Sequence, residues 1–188
     1  LVAGSTHAGE EEVVFQVYKR LLEVHPSTAL IIAPRNLERV AGVCSLAAGM
    51  SLRCRRFSEP PDGGCRVVVV DVMGRLPRLY AAGKIAFVGG SLVARGGHNP
   101  LEPAAQRRPV AFGPHMEDFP DIARFLEEAG GAVTVRSGEE LYGAFKAALD
   151  DPHGADEMGK KAHRAWIMSR GALLTYLSVL DRCLSLGK

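Results

Sequence analysis

Residues 85–105, IAFVGGSLVARGGHNPLEPAA, join a short apolar run to two glycine pairs and then to a segment that can start a helix. The apolar run at 85–90 is typical of a buried strand. Asn99, Pro100 and Glu102 match an N-cap, a first-turn proline and the third position of a capping box. The stretch therefore predicts a strand, a polar glycine-rich loop and a helix, with unusual backbone freedom at the junction.

The same alternation of short β-branched runs and amphipathic segments extends along the whole chain. Strands are predicted at 1–4, 29–33, 51–57, 66–71, 85–90, 109–113 and 131–135. Helices are predicted over about fifteen residues from Glu10 and near 36–48, 77–82, 100 onward, 118–128 and from about 139 to 188, with breaks near 151–152 and Gly171. This pattern predicts an α/β fold with a Rossmann-like doubly wound parallel sheet. The run at 66–71 is the most continuous, so we expect it to be a central strand buried on both faces.

Composition limits the possible classes of protein. The 188 residues are 47% hydrophobic and carry a formal charge of +2, which predicts a single globular domain over 1–188 and gives no sign of a nucleic-acid partner. No apolar run is long enough to span a bilayer. Four scattered cysteines, without a C-x-x-C pair, favour free thiols in a reducing compartment. Because the chain starts without methionine, in an apolar run, we expect it to be part of a longer protein.

Polar and glycine-rich junctions follow five of the predicted strands. Since ligands of doubly wound sheets bind outside the carboxyl ends of the strands, these junctions predict a cleft on one rim. The junctions are 4–9, 34–36, 71–75, 89–102 and 113–115.

The first junction, AGSTHAGEE at 3–11, has two interpretations. Its backbone N–H groups could hold a phosphate, with Ser5, Thr6 and His7 touching polar groups of a ligand. However, it lacks both the G-K-[S/T] ending of a P-loop and the G-x-G-x-x-G pattern. The acidic residues at 10–12 already complement the helix dipole, so a tight turn without a ligand is the alternative.

Two further junctions carry candidate ligand groups. Arg35 follows a strand and a proline, a placement that suits capture of a phosphate or carboxylate, although a surface arginine is the alternative. Asp71 is either an acid, a ligand group or a turn cap, and Gly74 allows a flat ligand to approach the backbone.

In the opening stretch, the glycine pairs 89–90 and 96–97 could turn backbone N–H groups toward a ligand. Glu102 either completes the helix cap or accepts ribose hydroxyls. His7, His98 and His115 could converge on the rim, but no histidine spacing matches a metal site.

Almost the whole chain resembles the carboxyl-terminal half of 3-deoxy-D-manno-octulosonic acid (Kdo) transferases. The motifs that carry the resemblance occur in order: AGSTHAGEE, APRNLERV, DVMGRLPRLYAAGKIAFVGGSLVARGGHNPLEPAA and PVAFGPHMEDF. The resemblance implies the C-terminal domain of a B-type glycosyltransferase, in which this half binds CMP-Kdo. It also implies transfer of Kdo to a lipid A precursor, a step in lipopolysaccharide biosynthesis, at the cytoplasmic face of the bacterial inner membrane.

The resemblance implies a nucleotide site residue by residue. Pro34 and Arg35 match a Pro-Arg pair that lies against CMP, and Met73 and Gly74 match a Met-Gly pair at the same nucleotide. Arg75 stands where the family usually has glutamate, so only a backbone contact is expected there. The segment formed by Asn99, Pro100, Leu101 and Glu102 matches Asn-x-Leu-Glu, with Glu102 as the ribose ligand.

By the same resemblance, the acceptor site, the general base and the membrane anchor belong to an amino-terminal half that is missing here. No cofactor or metal is implied. Arg35, glycine-loop N–H groups and a helix N-terminus would stabilise the phosphate of the departing CMP. The chain alone should therefore bind donor without turning it over. Alternatives are another sugar-nucleotide domain, such as a UDP-sugar transferase or epimerase, and a non-catalytic paralogue.

Overall fold

The computed structural model describes the backbone of residues 1–185 and the side chains of residues 1–169. Seven parallel strands form one sheet in the order β3-β4-β2-β1-β5-β6-β7. Their bounds are β1 Val2–Thr6, β2 Leu30–Pro34, β3 Cys54–Arg56, β4 Val67–Val69, β5 Ala86–Val88, β6 Val110–Phe112 and β7 Ala132–Thr134. The predicted doubly wound fold and its seven strands are confirmed.

Helices cover both faces of the sheet. They are α1 Glu10–Val24, α2 Val40–Gly49, α3 Leu76–Leu79, α4 Leu101–Ala105, α5 Pro120–Glu128, α6 Gly138–Asp150 and α7 Pro152–Ser185, with short 3-10 turns at Leu37–Arg39 and Tyr80–Ala82. Apolar side chains of α1, α2 and α6 pack on one face, and those of α4, α5 and α7 pack on the other. The break predicted near Gly171 is wrong, because α7 continues through it. The predicted helical residues 186–188 lie outside the described residues.

Local sequence explains where the helices begin. On α1, Val14, Val17, Tyr18 and Leu21 recur at helical spacing, and all four are buried against the sheet. At the start of α6, the Ser137 hydroxyl accepts the Glu140 N–H at 3.2 Å. Among the described residues, no helix is both long and apolar enough to cross a membrane.

The position predicted for the strand at 66–71 is wrong. β4 lies next to the edge strand β3, and Val68 is only half-buried, whereas β1 occupies the centre of the sheet. An apolar run indicates that a strand is buried, but it does not indicate the position of the strand in the sheet. That position depends on which side of the sheet each crossover connection places the next strand.

Strand order reverses between β1 and β5. The chain leaves β4 on one side of β1 and returns as β5 on the other side, so the carboxyl ends of β1 and β5 frame the switch point. There the register of β1 with β2 shifts between Gly4 and Thr6, and Ser5 has a left-handed φ of 55°. This irregularity turns the chain over the rim where the functional residues gather.

Candidate functional site

The floor of the cleft is organised by the buried carboxylate of Glu10. Glu10 Oε1 accepts the N–H groups of Ser91 and Leu92, both at 3.0 Å. Its Oε2 accepts the N–H groups of Gly90 at 2.8 Å and His7 at 2.9 Å. A single side chain of α1 therefore holds the loop after β5 against the loop after β1.

This arrangement corrects two predictions for the glycine-rich junctions. The N–H groups of residues 90–92 and His7 are not available to a phosphate, because the Glu10 carboxylate already occupies the position that an anion would take. Thr6 is fully buried, and its hydroxyl donates to Glu11 at 3.3 Å instead of reaching the rim. The anion bound by this glycine-rich loop is thus the Glu10 carboxylate, not a ligand.

Two histidines meet above this floor. His7 Nε2 and His98 Nε2 are 2.9 Å apart, and the rings stack with centroids at 5.2 Å. Gly90 has a φ of 70°, and a Cβ there would lie 3.1 Å from the His98 ring, so glycine leaves room for the pair. Because one nitrogen must donate and the other accept, the contact holds a single proton.

The surroundings disfavour protonation of both imidazoles. Burial lowers the pKa of His7 and of His98, and the positive charge of Arg35 lowers both further. Nearby carboxylates, Glu10 for His7 and Asp118 for His98, oppose this effect without reversing it. Protonation of both rings would also break their mutual hydrogen bond.

The histidine pair should make the chain less stable in mild acid. Since the folded-state pKa values lie below the usual 6.5, the unfolded chain binds protons first, and stability is lost as pH falls through about 6.5. We expect His98→Asn to weaken the decrease in unfolding free energy between pH 7.5 and 5.5, measured by urea titration at each pH. His153→Asn, on an exposed residue of α7, is the control. An unchanged pH slope in His98→Asn would contradict this account.

A recess opens between the carboxyl ends of β1, β2 and β4. Its volume is about 90 Å³, and its lining includes Ser5, Pro34, Arg35, Met73 and Gly74. Gly74 has a φ of 74° with no atom near the position of a Cβ, and Met73 is 67% exposed. The predicted Pro-Arg and Met-Gly residues are thus brought together around one recess, although Gly74 and Met73 remain open to solvent.

Arg35 and Glu102 supply opposite charges at this rim. Neither side chain makes a hydrogen bond or ion pair within the part of the chain whose side chains are described. Burial raises the pKa of Glu102, and the charge of Arg35 partly offsets that rise, so the two groups interact through the cleft. The charge of Glu102 also helps burial to raise the pKa of Tyr80, which places the carboxylate near the buried phenol.

The segment 99–102 divides into packing and polar positions. Asn99 Oδ1 accepts the Leu101 N–H at 3.0 Å. The N-cap of α4 is Pro100, so the predicted helix start at Asn99 is wrong by one residue. Pro100 is buried, and Leu101 packs against the apolar cluster beneath α4. Among the described residues, Glu102 accepts no backbone N–H, so the predicted capping-box bond is not formed and the carboxylate can bind another partner.

Two other candidates, Asp71 and His115, make contacts within the fold. Asp71 accepts both the N–H and the hydroxyl of Ser58, at 3.0 and 2.5 Å, and so anchors a surface loop. His115 pairs with Glu117 at 3.1 Å instead of joining the other histidines. Arg75 is exposed at the start of α3, where its carbonyl accepts the N–H groups of Arg78 and Leu79. No local sequence pattern indicates the contact of Glu10 with residues 90–92.

Within the described side chains, no group of three His, Cys, Asp or Glu residues gathers as metal ligands. Cys44, Cys54 and Cys65 are free thiols. Burial, with the neighbouring Cys44, raises the pKa of Cys54 to about 12, so this thiol is a poor nucleophile.

Comparison with known proteins places the chain in one family. No family profile matches it. It is 38% identical over 182 residues to the 3-deoxy-D-manno-octulosonic acid transferase of Haemophilus influenzae, covering 95% of this chain and 43% of the relative. It is also 38% identical over 141 residues to the transferase of the same name from Aquifex aeolicus, covering 75% of this chain and 39% of the relative. The chain thus spans about two fifths of the length of these two relatives.

One solved structure shows which part of such a protein is matched. The C-terminal CMP-Kdo binding domain of WaaA from Acinetobacter baumannii superposes with a TM-score of 0.82 and 28% identity, covering 87% of this chain and 86% of that domain. The parallel sheet with its switch point is therefore that of the C-terminal domain of a B-type glycosyltransferase. The chain belongs to the 3-deoxy-D-manno-octulosonic acid transferase family and corresponds to its C-terminal domain.

Proposed function

We propose that this chain is the donor-binding domain of a glycosyltransferase that transfers Kdo from CMP-Kdo to a lipid A precursor in lipopolysaccharide biosynthesis. The observation that carries the proposal is the recess between Pro34-Arg35 and Met73-Gly74 at the switch point of the sheet. Nucleotides bind at this position in doubly wound folds. The named binding activity of the matching Acinetobacter baumannii domain supports the same assignment.

Each part of a cytidine monophosphate has a complementary group at the rim. The recess takes the nucleoside, and the backbone at Gly74 lets a flat ring approach closely. The half-buried Glu102 carboxylate, which lacks a hydrogen-bond partner within the described residues, accepts the ribose hydroxyls. The unpaired guanidinium of Arg35 binds the phosphate. Arg75 contributes through its backbone, since its side chain is exposed at the start of α3.

The chemistry places the greatest demand on Arg35. When the bond between the sugar and the phosphate breaks, negative charge grows on the CMP leaving group, and a preorganised cation lowers the barrier. The N–H groups of residues 90–92 cannot share this role, because they donate to Glu10. Among the described side chains that line the recess, that of Arg35 offers an unpaired positive charge to the leaving group. The proposal needs no metal ion.

The remaining parts of the reaction are proposed for the rest of the protein. The relatives are more than twice as long as the matched region. We assign the acceptor site, the general base and the membrane attachment at the cytoplasmic face of the inner membrane to an amino-terminal half. This chain alone should therefore bind the donor but not transfer the sugar.

Calorimetric titration with CMP and with UMP tests the nucleotide site. We expect saturable binding that prefers CMP and that falls about 10–100-fold in Arg35→Ala and in Glu102→Gln, since each removes a charge-assisted hydrogen bond. Arg164→Ala and Glu128→Gln are the matched controls, because both residues are exposed on the surface helices α7 and α5.

The alternatives predict different results. Equal or stronger binding of UMP would favour a UDP-sugar transferase or epimerase. Absence of binding for either nucleotide would favour a non-catalytic paralogue, with Arg75 as a sign of lost donor recognition. Unchanged CMP affinity in both site variants would contradict the placement of the nucleotide in this recess.

A further inference from the structure

A second cavity, of about 290 Å³, borders the nucleotide recess. The loop after β2 connects them, since Arg35 and Leu37 line the recess while Asn36 and Arg39 line the second cavity. The other residues lining this cavity, here called the Arg95 pocket, are His7, Ala8 and Arg95. Its charged wall residues are all arginines, so an anion is the natural occupant.

The two arginines of the pocket have different surroundings. Arg39 donates to the fully buried Glu11 carboxylate at 2.9 Å, so its charge is compensated and its position is fixed. Arg95 is exposed and makes no hydrogen bond or ion pair within the described side chains. The carboxylate of Glu10 is not available to Arg95, because it accepts N–H groups from both loops. One uncompensated guanidinium therefore faces the pocket.

The guanidinium groups of Arg95 and Arg35 both act on the histidine pair. The charge of Arg95 lowers the pKa of His7, and the charge of Arg35 lowers the pKa of both His7 and His98. Since an imidazole carries no negative charge, the histidine pair compensates neither guanidinium. A single ligand with two anionic groups, one for each arginine, would satisfy both charges.

We propose that the Arg95 pocket binds the carboxylate of the donor's sugar acid, while Arg35 binds the phosphate. The inference rests on the proposed function and adds the determinant that selects a sugar acid over a neutral sugar. A guanidinium binds a carboxylate through two parallel hydrogen bonds, and a nucleotide carrying a neutral sugar would leave Arg95 unpaired. The same chemistry would suit a phosphate group of the acceptor, which the experiment must distinguish.

The test compares the affinities of CMP and freshly prepared CMP-Kdo for the chain, by calorimetric titration at pH 7.5. We expect CMP-Kdo to bind at least about tenfold more tightly than CMP, as one added charge-assisted hydrogen-bonded pair would give. Arg95→Gln should remove this advantage while leaving CMP affinity unchanged. Arg164→Gln, the same exchange on an exposed residue of α7, should keep both affinities.

Failure of the inference differs from failure of the proposed function. If CMP binds but CMP-Kdo has no advantage, or keeps its advantage in Arg95→Gln, the carboxylate assignment is overturned and the nucleotide site stands. If neither nucleotide binds, both fail. Inorganic phosphate is also titrated into chain saturated with CMP: binding that depends on Arg95, together with a CMP-Kdo advantage that does not, would assign the pocket to an acceptor phosphate and overturn the proposal.

Discussion

Glu10→Ala is expected to lower the free energy of unfolding by about 3–5 kcal/mol, because it leaves several buried N–H groups without acceptors. The Glu10 carboxylate accepts N–H groups from His7 and from residues 90–92, and its side chain is fully buried. Backbone N–H groups cannot turn away as a side chain can by changing rotamer. In the variant, the two loops must therefore open to water, or these N–H groups stay without hydrogen-bond acceptors. Urea-induced unfolding followed by circular dichroism at pH 7.5 measures the effect.

Two variants make this result specific. Glu12→Ala removes another carboxylate of the same first turn. Within the described residues, Glu12 accepts only the Gly9 N–H, at an exposed position, so a loss of about 1 kcal/mol or less is expected. Glu10→Gln keeps one acceptor oxygen and should fall between the two. A loss below about 1 kcal/mol for Glu10→Ala would mean that Glu10 does not organise the cleft floor.

The fold was largely predictable because its signals are local. α1 begins at Glu10 and has fifteen residues, as the apolar spacing and the acidic first turn predicted. Strand bounds differ from the prediction by a few residues at most, for example at Ala86–Val88 against the predicted 85–90. The central position given to the run at 66–71 was wrong, since burial is encoded by side chains within a strand while strand order is encoded by crossovers between strands.

The role of Glu10 could not be predicted, because three of its four N–H partners are about eighty positions away along the chain. Local reasoning finds a sufficient explanation for Glu10 in the helix dipole, and it finds one for the glycines at 89–90 in an external phosphate. Both explanations are local, and the structure replaces them with one long-range contact. The glycine-rich loop does bind an anion, and that anion is the carboxylate of Glu10.

Of the three histidines expected to converge, only the two that follow adjacent strands come together. His7 follows β1, and His98 lies in the loop after its neighbour β5, so the two side chains meet at 2.9 Å. His115 follows β6, one strand further out, and pairs with Glu117 of its own turn. Without strand order, the sequence could not separate the pair from the third histidine.

Gly89→Ala is expected to destabilise the chain by about 2–4 kcal/mol, with a fall in Tm on the order of 10 °C. A Cβ at Gly89 would lie 2.7 Å from the Thr6 Cα and against the Ser5 carbonyl oxygen. These are backbone atoms of the neighbouring strand, so no side-chain rotation can relieve the contact. Gly89 also donates its N–H to the Gly4 carbonyl at 2.8 Å, which ties the added methyl group to that strand.

Gly42→Ala is the matched control, because the same methyl group on α2 meets nothing within 4 Å. There the exchange reduces the entropy of the unfolded chain and should stabilise by about 0.5–1 kcal/mol. Thermal unfolding followed by circular dichroism compares the two, and calorimetry with CMP adds a second measurement. Since Ser5 lines the nucleotide recess, Gly89→Ala should also weaken CMP binding at a temperature where the variant is folded, whereas Gly42→Ala should not.

A Gly89→Ala chain as stable as the wild type would show that β1 and β5 can separate at the rim, and a rigid switch point would then no longer explain how the recess keeps its shape.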